Sequence, residues 1–102
     1  MYSVLLTLYT RQGCCLCKGL EDRLKSIPLF DLEPSIELEI IDIDGEGVSV
    51  SDHVRYHLEV PVMLLKLVGS KKMVQLPRVS PRLDPQGLFK WLQGVLTKEL
   101  ES

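Results

Sequence analysis

Short apolar runs alternate along the chain with polar breaks marked by Gly and Pro, and the period of each run predicts an element. Val4, Leu5, Leu6, Leu8 and Tyr9 form a run with no polar face, which predicts a strand buried on both sides beneath helices. Thr10 to Gly13 reads as a polar loop. From Cys14 onward a helical pattern begins: Leu16, Leu20, Leu24 and Ile27 recur on one helix face, and Pro28 stops it. Phe30 to Ser35 reads as a connection broken by Pro34. Ile36, Leu38 and Ile40 alternate with Glu37, Glu39 and Ile41, the period of a strand. Ile41 and Ile43 fall on the opposite face from Ile40, so the later half of that strand is expected to be covered from both sides.

Asp44 to Gly47 has the composition of a loop. Ser49 with Asp52 three residues on resembles a capping box, which normally carries Glu or Gln at the second place. Val50, Val54, His57 and Leu58 then mark a short helix, which Val60-Pro61 ends because the residue before proline avoids the α region. Val62 to Val68, a turn at Gly69-Ser70-Lys71-Lys72, and Met73 to Leu76 read as a hairpin. Pro77 to Leu83 is a loop. Asp84 is a predicted N-cap with Pro85 at the first helical position, and Leu88, Leu92, Val95 and Leu96 form the stripe of a last helix.

The predicted order is β-α-β-α-β-β-α, an α/β fold. Two βα units imply parallel strands joined by right-handed crossovers, and the hairpin adds an antiparallel strand. The expectation is a four-stranded mixed sheet between helices, a three-layer α/β/α sandwich in one domain over residues 1–102. Composition agrees: 102 residues, 45% hydrophobic and 25% charged, are those of an ordinary globular domain. Twelve Lys and Arg against fourteen Asp and Glu give a formal charge of −2, which argues against a nucleic-acid partner. No apolar run approaches the roughly 20 residues of a membrane span, so no membrane is expected either. No basic leader precedes the first apolar run. The expected compartment is therefore the cytoplasm, or an organelle stroma if a transit peptide has been removed. No exposed heptad or long apolar edge argues for an obligate dimer, and a monomer is expected.

The chemistry concentrates in one place. All three cysteines lie between positions 14 and 17, which is no disulfide framework spread along a secreted chain. Cys14 and Cys17 form a C-x-x-C where the first strand's loop hands over to a helix. Unpaired N–H groups and the positive end of the helix dipole favour a thiolate there, so the Cys14 thiol is expected below its ordinary range. Arg11 and Lys18 add positive potential. Cys14, at the cap, would attack a substrate disulfide, and Cys17, one turn in, would resolve the mixed disulfide. Cys15 points about 100° round the helix from Cys14 and is either a bystander or an accessory thiol. A rival reading joins the pair to His53 and His57, which have the H-x₃-H spacing of a zinc site. The gap to them is far longer than the roughly 12–15 residues of a zinc finger, and no metal ligand is assigned. His53 is expected to be exposed and His57 partly packed.

These residues resemble a known family. Tyr9-Thr10-Arg11-Gln12-Gly13-Cys14-Cys15-Leu16-Cys17 is similar to the active-site segment of the small glutaredoxin-like proteins of the thioredoxin fold. Ile41-Asp42-Ile43-Asp44 resembles the end of their second strand, and Tyr56 to Val62 their second helix running into a Val-Pro turn. The resemblance implies a thioredoxin-like, glutaredoxin-type fold and a cis Val60-Pro61 bond beside the cysteines. It implies that Val60, Pro61 and the nearby Arg11 meet the substrate, either a disulfide-containing protein or glutathione as co-substrate, with no cofactor required. The chain departs from that pattern in its Cys15-Leu16 pair. It also has Pro77-Arg78-Val79-Ser80-Pro81-Arg82-Leu83-Asp84 where the family places a Gly-Gly turn and an acidic pair to hold glutathione. The alternative function on the same fold is a non-catalytic module holding a metal, an iron–sulfur cluster or a partner protein through its thiolates.

Overall fold

Strand β1 (Ser3–Thr10) lies inside the sheet, with Val4, Leu6 and Leu8 buried on one face and Thr7 and Tyr9 buried on the other. The computed structural model describes residues 3–32, 34–67 and 73–101. Helix α1 (Cys15–Ser26) follows β1, then strand β2 (Ser35–Asp42), helix α2 (Val50–Tyr56), strand β3 (Val62–Leu67), strand β4 (Met73–Gln75) and helix α3 (Pro85–Glu101). This is the expected order. A short 3-10 turn at Leu29–Asp31 is the one addition, in the connection after α1. Val68 and the Gly69-Ser70-Lys71-Lys72 turn lie outside the described residues.

The caps are those the sequence predicts. Ser49 accepts from the Asp52 N–H at 3.2 Å. The Asp84 carboxylate accepts from the Gly87 N–H at 2.8 Å and the Asp84 carbonyl from the Leu88 N–H. α1 ends at Ser26 because Ile27, preceding Pro28, is held extended.

The sheet order is β2-β1-β3-β4. β1 pairs with β2 in parallel, from Ser3 opposite Ser35 to Thr10 opposite Asp42, as a βα unit requires. The second unit departs from expectation: β3 runs antiparallel to β1, with Val4 opposite Leu67 and Tyr9 opposite Val62. α2 has seven residues and at 1.5 Å per residue advances only about 10 Å, whereas an eight-residue strand spans about 26 Å, so the helix alone does not carry the chain back to the start of the sheet. β3 begins instead at the end where β1 finishes. β4 then pairs antiparallel with β3, Leu64 opposite Gln75.

Alternation in the strands sorts the core into two layers. Val4, Leu6, Leu8, Met63 and Leu65 pack with Leu20 and Leu24 of α1 and with Leu88, Leu92 and Leu96 of α3. Tyr9, Val62 and Leu64 face the other way and pack with Ile43 and with Tyr56 of α2. Helices therefore cover both faces in a thioredoxin-like three-layer arrangement. Ile41 and Ile43 join the second layer, as expected of the doubly covered half of β2.

Two stripes are corrected by the structure. Leu16, the first member of the α1 stripe, is 52% exposed, because it precedes the turn that meets the sheet. Val50, Val54 and Leu58 are also exposed, although their spacing suggested an inward face. α2 is oriented by Tyr56, whose ring stacks on Tyr9 at 5.5 Å between centroids. Val54 lies about 200° round the helix from Tyr56, so anchoring the tyrosine turns the valine out. No helix among the described residues is long and apolar enough to cross a membrane.

Candidate active site

The first turn of α1 positions the cysteines. Gly13 adopts φ +80°, a left-handed conformation open to glycine at little cost, and the Cys14 N–H closes the turn on the Arg11 carbonyl at 3.2 Å. Cys14 is the extended N-cap residue of α1, and its sulfur accepts from the Cys17 N–H at 3.2 Å. No acidic residue stands in the first turn, so nothing there opposes the positive end of the helix. Cys14 and Cys17 are joined in a disulfide, with Cα atoms 5.3 Å apart. Cys14 is half-exposed and Cys17 is buried. One residue of the pair is thus partly accessible to solvent and the other shielded. Cys15 is exposed and stands outside the disulfide.

The antiparallel return of β3 brings the second half of the site. Tyr9 lies opposite Val62, so the Val60-Pro61 turn sits at the strand end from which the cysteine loop leaves. The Val60-Pro61 bond is cis, as the sequence resemblance implied. Two concavities flank the first turn of α1. One, of about 590 Å³, is lined by Arg11, Cys14, Cys15, Cys17, Lys18 and Asp42. The other, of about 790 Å³, is lined by Leu16, Pro61, Leu76, Pro77 and Arg78, among others.

Among the described residues, the cations that line these concavities are engaged. The Arg11 guanidinium gives two hydrogen bonds to Asp44, at 2.7 and 3.0 Å. His53 Nε2 lies 3.1 Å from the same carboxylate, and its ring stacks on His57 at 4.8 Å. His53 is therefore half-exposed rather than free. The Arg11 hydrogen bonds, and after them the contact with His53, hold the Asp44 carboxyl at about 2. The same pairing raises the Arg11 guanidinium above its ordinary range. Lys18 lies 3.2 Å from Asp22 and 3.7 Å from Glu21, and its ammonium is likewise raised, mainly by the Asp22 hydrogen bond. On the far side the Arg78 guanidinium donates to the Glu59 carbonyl at 2.7 Å, just before the cis turn.

Beneath the site, burial is the main cause that raises the Tyr9 phenol above its ordinary range, with the neighbouring Asp52 carboxylate adding to it. Asp52 accepts from the Tyr9 hydroxyl at 3.5 Å, which ties the start of α2 to the end of β1.

Every residue named from the sequence as catalytic, substrate-binding or accessory stands at this end of the sheet. Cys14, Cys17, Cys15, Arg11 and Lys18 share one concavity, and Pro61 lines the other. Sequence reading missed Asp44 as the partner of Arg11. Its signal was the parallel register, since Thr10 lies opposite Asp42 and the Ile43 N–H donates to the Thr10 carbonyl at 2.8 Å, carrying residues 11 and 44 together. His53 and His57 do not approach the cysteines as a metal site: among the described residues no group of three or more His, Cys, Asp or Glu is placed to hold a metal.

A family model described as a glutaredoxin-like domain (DUF836) matches residues 5–93. Neither the curated proteins nor the solved structures give a match.

Proposed function

The chain belongs to the glutaredoxin-like (DUF836) family, and from that premise and the geometry of its cysteine pair we propose that it is a thiol–disulfide oxidoreductase. The observation that carries the reading is the asymmetry of the pair: a half-exposed Cys14 at a helix cap joined to a buried Cys17. In the reduced protein the Cys14 thiolate attacks one sulfur of a substrate disulfide. A Cys14–substrate disulfide forms and the other substrate sulfur leaves as a thiolate, which takes up a proton. Cys17 then loses its proton and attacks Cys14. The Cys14–Cys17 disulfide forms and the second substrate thiolate leaves. Two electrons pass from the dithiol to the substrate, and a thiol reductant resets the pair.

The helix N-terminus favours the Cys14 thiolate at both ends of this cycle, as attacking group and as leaving group. Burial keeps Cys17 from competing for substrate. The chemistry needs no resident cofactor, and one copy of the chain carries both sulfurs. A reducing compartment, cytoplasm or stroma, suits a dithiol that must start reduced.

The test is a redox titration in dithiothreitol buffers with alkylation of free thiols. The wild type is expected to form a Cys14–Cys17 disulfide at a defined potential. Cys14→Ser should abolish exchange, and Cys17→Ser should accumulate a mixed disulfide on Cys14, read by mass. Failure of the pair to oxidise at any physiological potential sinks the proposal.

A further inference from the structure

The histidines of α2 have no part in the exchange steps, yet His53 is tied to the cysteine loop through one carboxylate. Asp44 Oδ2 accepts from Arg11 Nε at 2.7 Å. Asp44 Oδ1 accepts from Arg11 Nη2 at 3.0 Å and lies 3.1 Å from His53 Nε2. Three elements meet at this carboxylate: Arg11 lies in the loop between β1 and α1, Asp44 follows β2, and His53 belongs to α2. Arg11 is the member that reaches the reaction, because it lines the same concavity as Cys14.

The chemistry of the three groups fixes where the protons sit. Asp44, held at about 2, is ionised near neutral pH and can only accept. The His53 nitrogen that faces it therefore carries a hydrogen in either charge state, and the proton that comes and goes is on Nδ1. Arg11, raised by the same pairing, keeps its charge. An imidazole is the one kind of group in this trio that changes charge between pH 5 and 8.

With His53 neutral, one carboxylate answers one guanidinium and the trio has no net charge. With His53 protonated the trio carries +1. The second cation draws on the same Oδ1 that Arg11 Nη2 uses, so more of the Arg11 charge is left to the concavity. A positive charge there favours a thiolate on Cys14.

Other charges surround the trio. His57 stacks on His53 at 4.8 Å, and a cation there would oppose a cation on His53. Asp42, at the end of β2, acts on Arg11. Asp52 is engaged with the Tyr9 hydroxyl, and Arg55 lies over the Tyr56 ring. Lys18, which lines the same concavity, is held by Glu21 and Asp22. Of these neighbours only His57 is of a type that titrates in the same range.

We propose that His53 is a positioning residue for the exchange reaction: acting through Asp44 and Arg11, its protonation keeps more of Cys14 as thiolate as the pH falls. The inference rests on the exchange reading above and adds a pH-dependent control to it. No bond is made or broken beyond those already given. The side chains are partly exposed, so the effect is about twofold and shrinks in salt.

The experiment is the rate of Cys14 alkylation by iodoacetamide in the reduced full-length protein, read by peptide mass across the pH range at low salt. His53→Gln keeps a donor for Asp44 and removes the titrating charge. The wild type should react at the same rate as His53→Gln at about pH 8.5, and about twice as fast at about pH 5.5. His53→Lys, charged throughout, should match the wild type at the acid end and exceed it near neutral pH. In an Asp44→Asn background the change of His53 to Gln should leave the rate unaltered. His57→Gln should keep the acid-end difference. Position 53 is half-exposed, so these variants keep the fold, which circular dichroism checks. Equal acid-end rates for wild type and His53→Gln overturn the inference. So does a difference that survives Asp44→Asn, or one that disappears in His57→Gln. The exchange reading fails by a separate result, a Cys14–Cys17 pair that never oxidises in dithiothreitol buffers.

Discussion

The Arg11 guanidinium meets the Asp44 carboxylate through two hydrogen bonds, at 2.7 and 3.0 Å, although 33 residues separate them in the chain. Arg11 lines the concavity that holds Cys14, so its charge would stabilise a thiolate there. Asp44 balances that charge. Asp44→Asn is therefore expected to release it, moving the pH midpoint of Cys14 alkylation by iodoacetamide to lower pH. Arg11→Gln in the same background should return the midpoint towards the wild-type value. A midpoint unmoved by Asp44→Asn would mean that the pair acts only to hold the loop.

The same ion pair links stability to acid. The Asp44 carboxyl is depressed from its ordinary 3.8 to about 2 in the folded chain. A depressed acid stabilises the fold above its unfolded value and loses that contribution as pH falls through the folded one. Wild type and Asp44→Asn should thus differ in thermal midpoint at pH 5, with the difference shrinking between about pH 4 and pH 2 and vanishing below. Thermal unfolding followed by circular dichroism across that range checks it. The pair is exposed, so added salt should shrink the difference as well.

Gly13→Ala tests the turn before the cysteines. A Cβ at position 13 would meet nothing within 4 Å, so the whole cost is backbone conformation at φ +80°. A left-handed residue with a Cβ costs about 1–2 kcal/mol. Urea unfolding of the variant should show a loss of that size.

Packing gives a contrast within one molecule. Leu88 is wholly buried between α3 and the sheet, and Leu88→Ala should cost about 2–5 kcal/mol. Val54→Ala, on the outward face of α2, should change stability by less than about 0.5 kcal/mol. A large loss at Val54 would mean that this face is covered in solution.

Much of the fold is legible in the chain because local rules and burial agree. Period two in Ile36 to Ile40, the Cys14 and Ser49 caps, and the Asp84-Pro85 start of α3 each reflect a short-range constraint, and each is found in place. The failures share one cause: they depend on which distant element wins a contact. The direction of β3 is fixed by its antiparallel pairing with β1, a contact far away in the chain. The outward turn of Val50 and Val54 follows from the stacking of Tyr56 on Tyr9. In the candidate site, C-x-x-C at a helix start and a Val-Pro turn are local signals and were legible. The Arg11–Asp44 pair and the Arg78–Glu59 contact come from strand register and loop closure, which no single stretch of sequence announces.

The pairing of Tyr9 with Val62 has a last consequence. The spacing between the reactive sulfur and the Val60-Pro61 turn is inherited from a strand ladder, and a ladder moves only in whole residues. A slip of one residue would turn Val62 out of its layer and carry every other β3 side chain to the wrong face. The site has no intermediate setting: it is assembled in full or lost with the sheet.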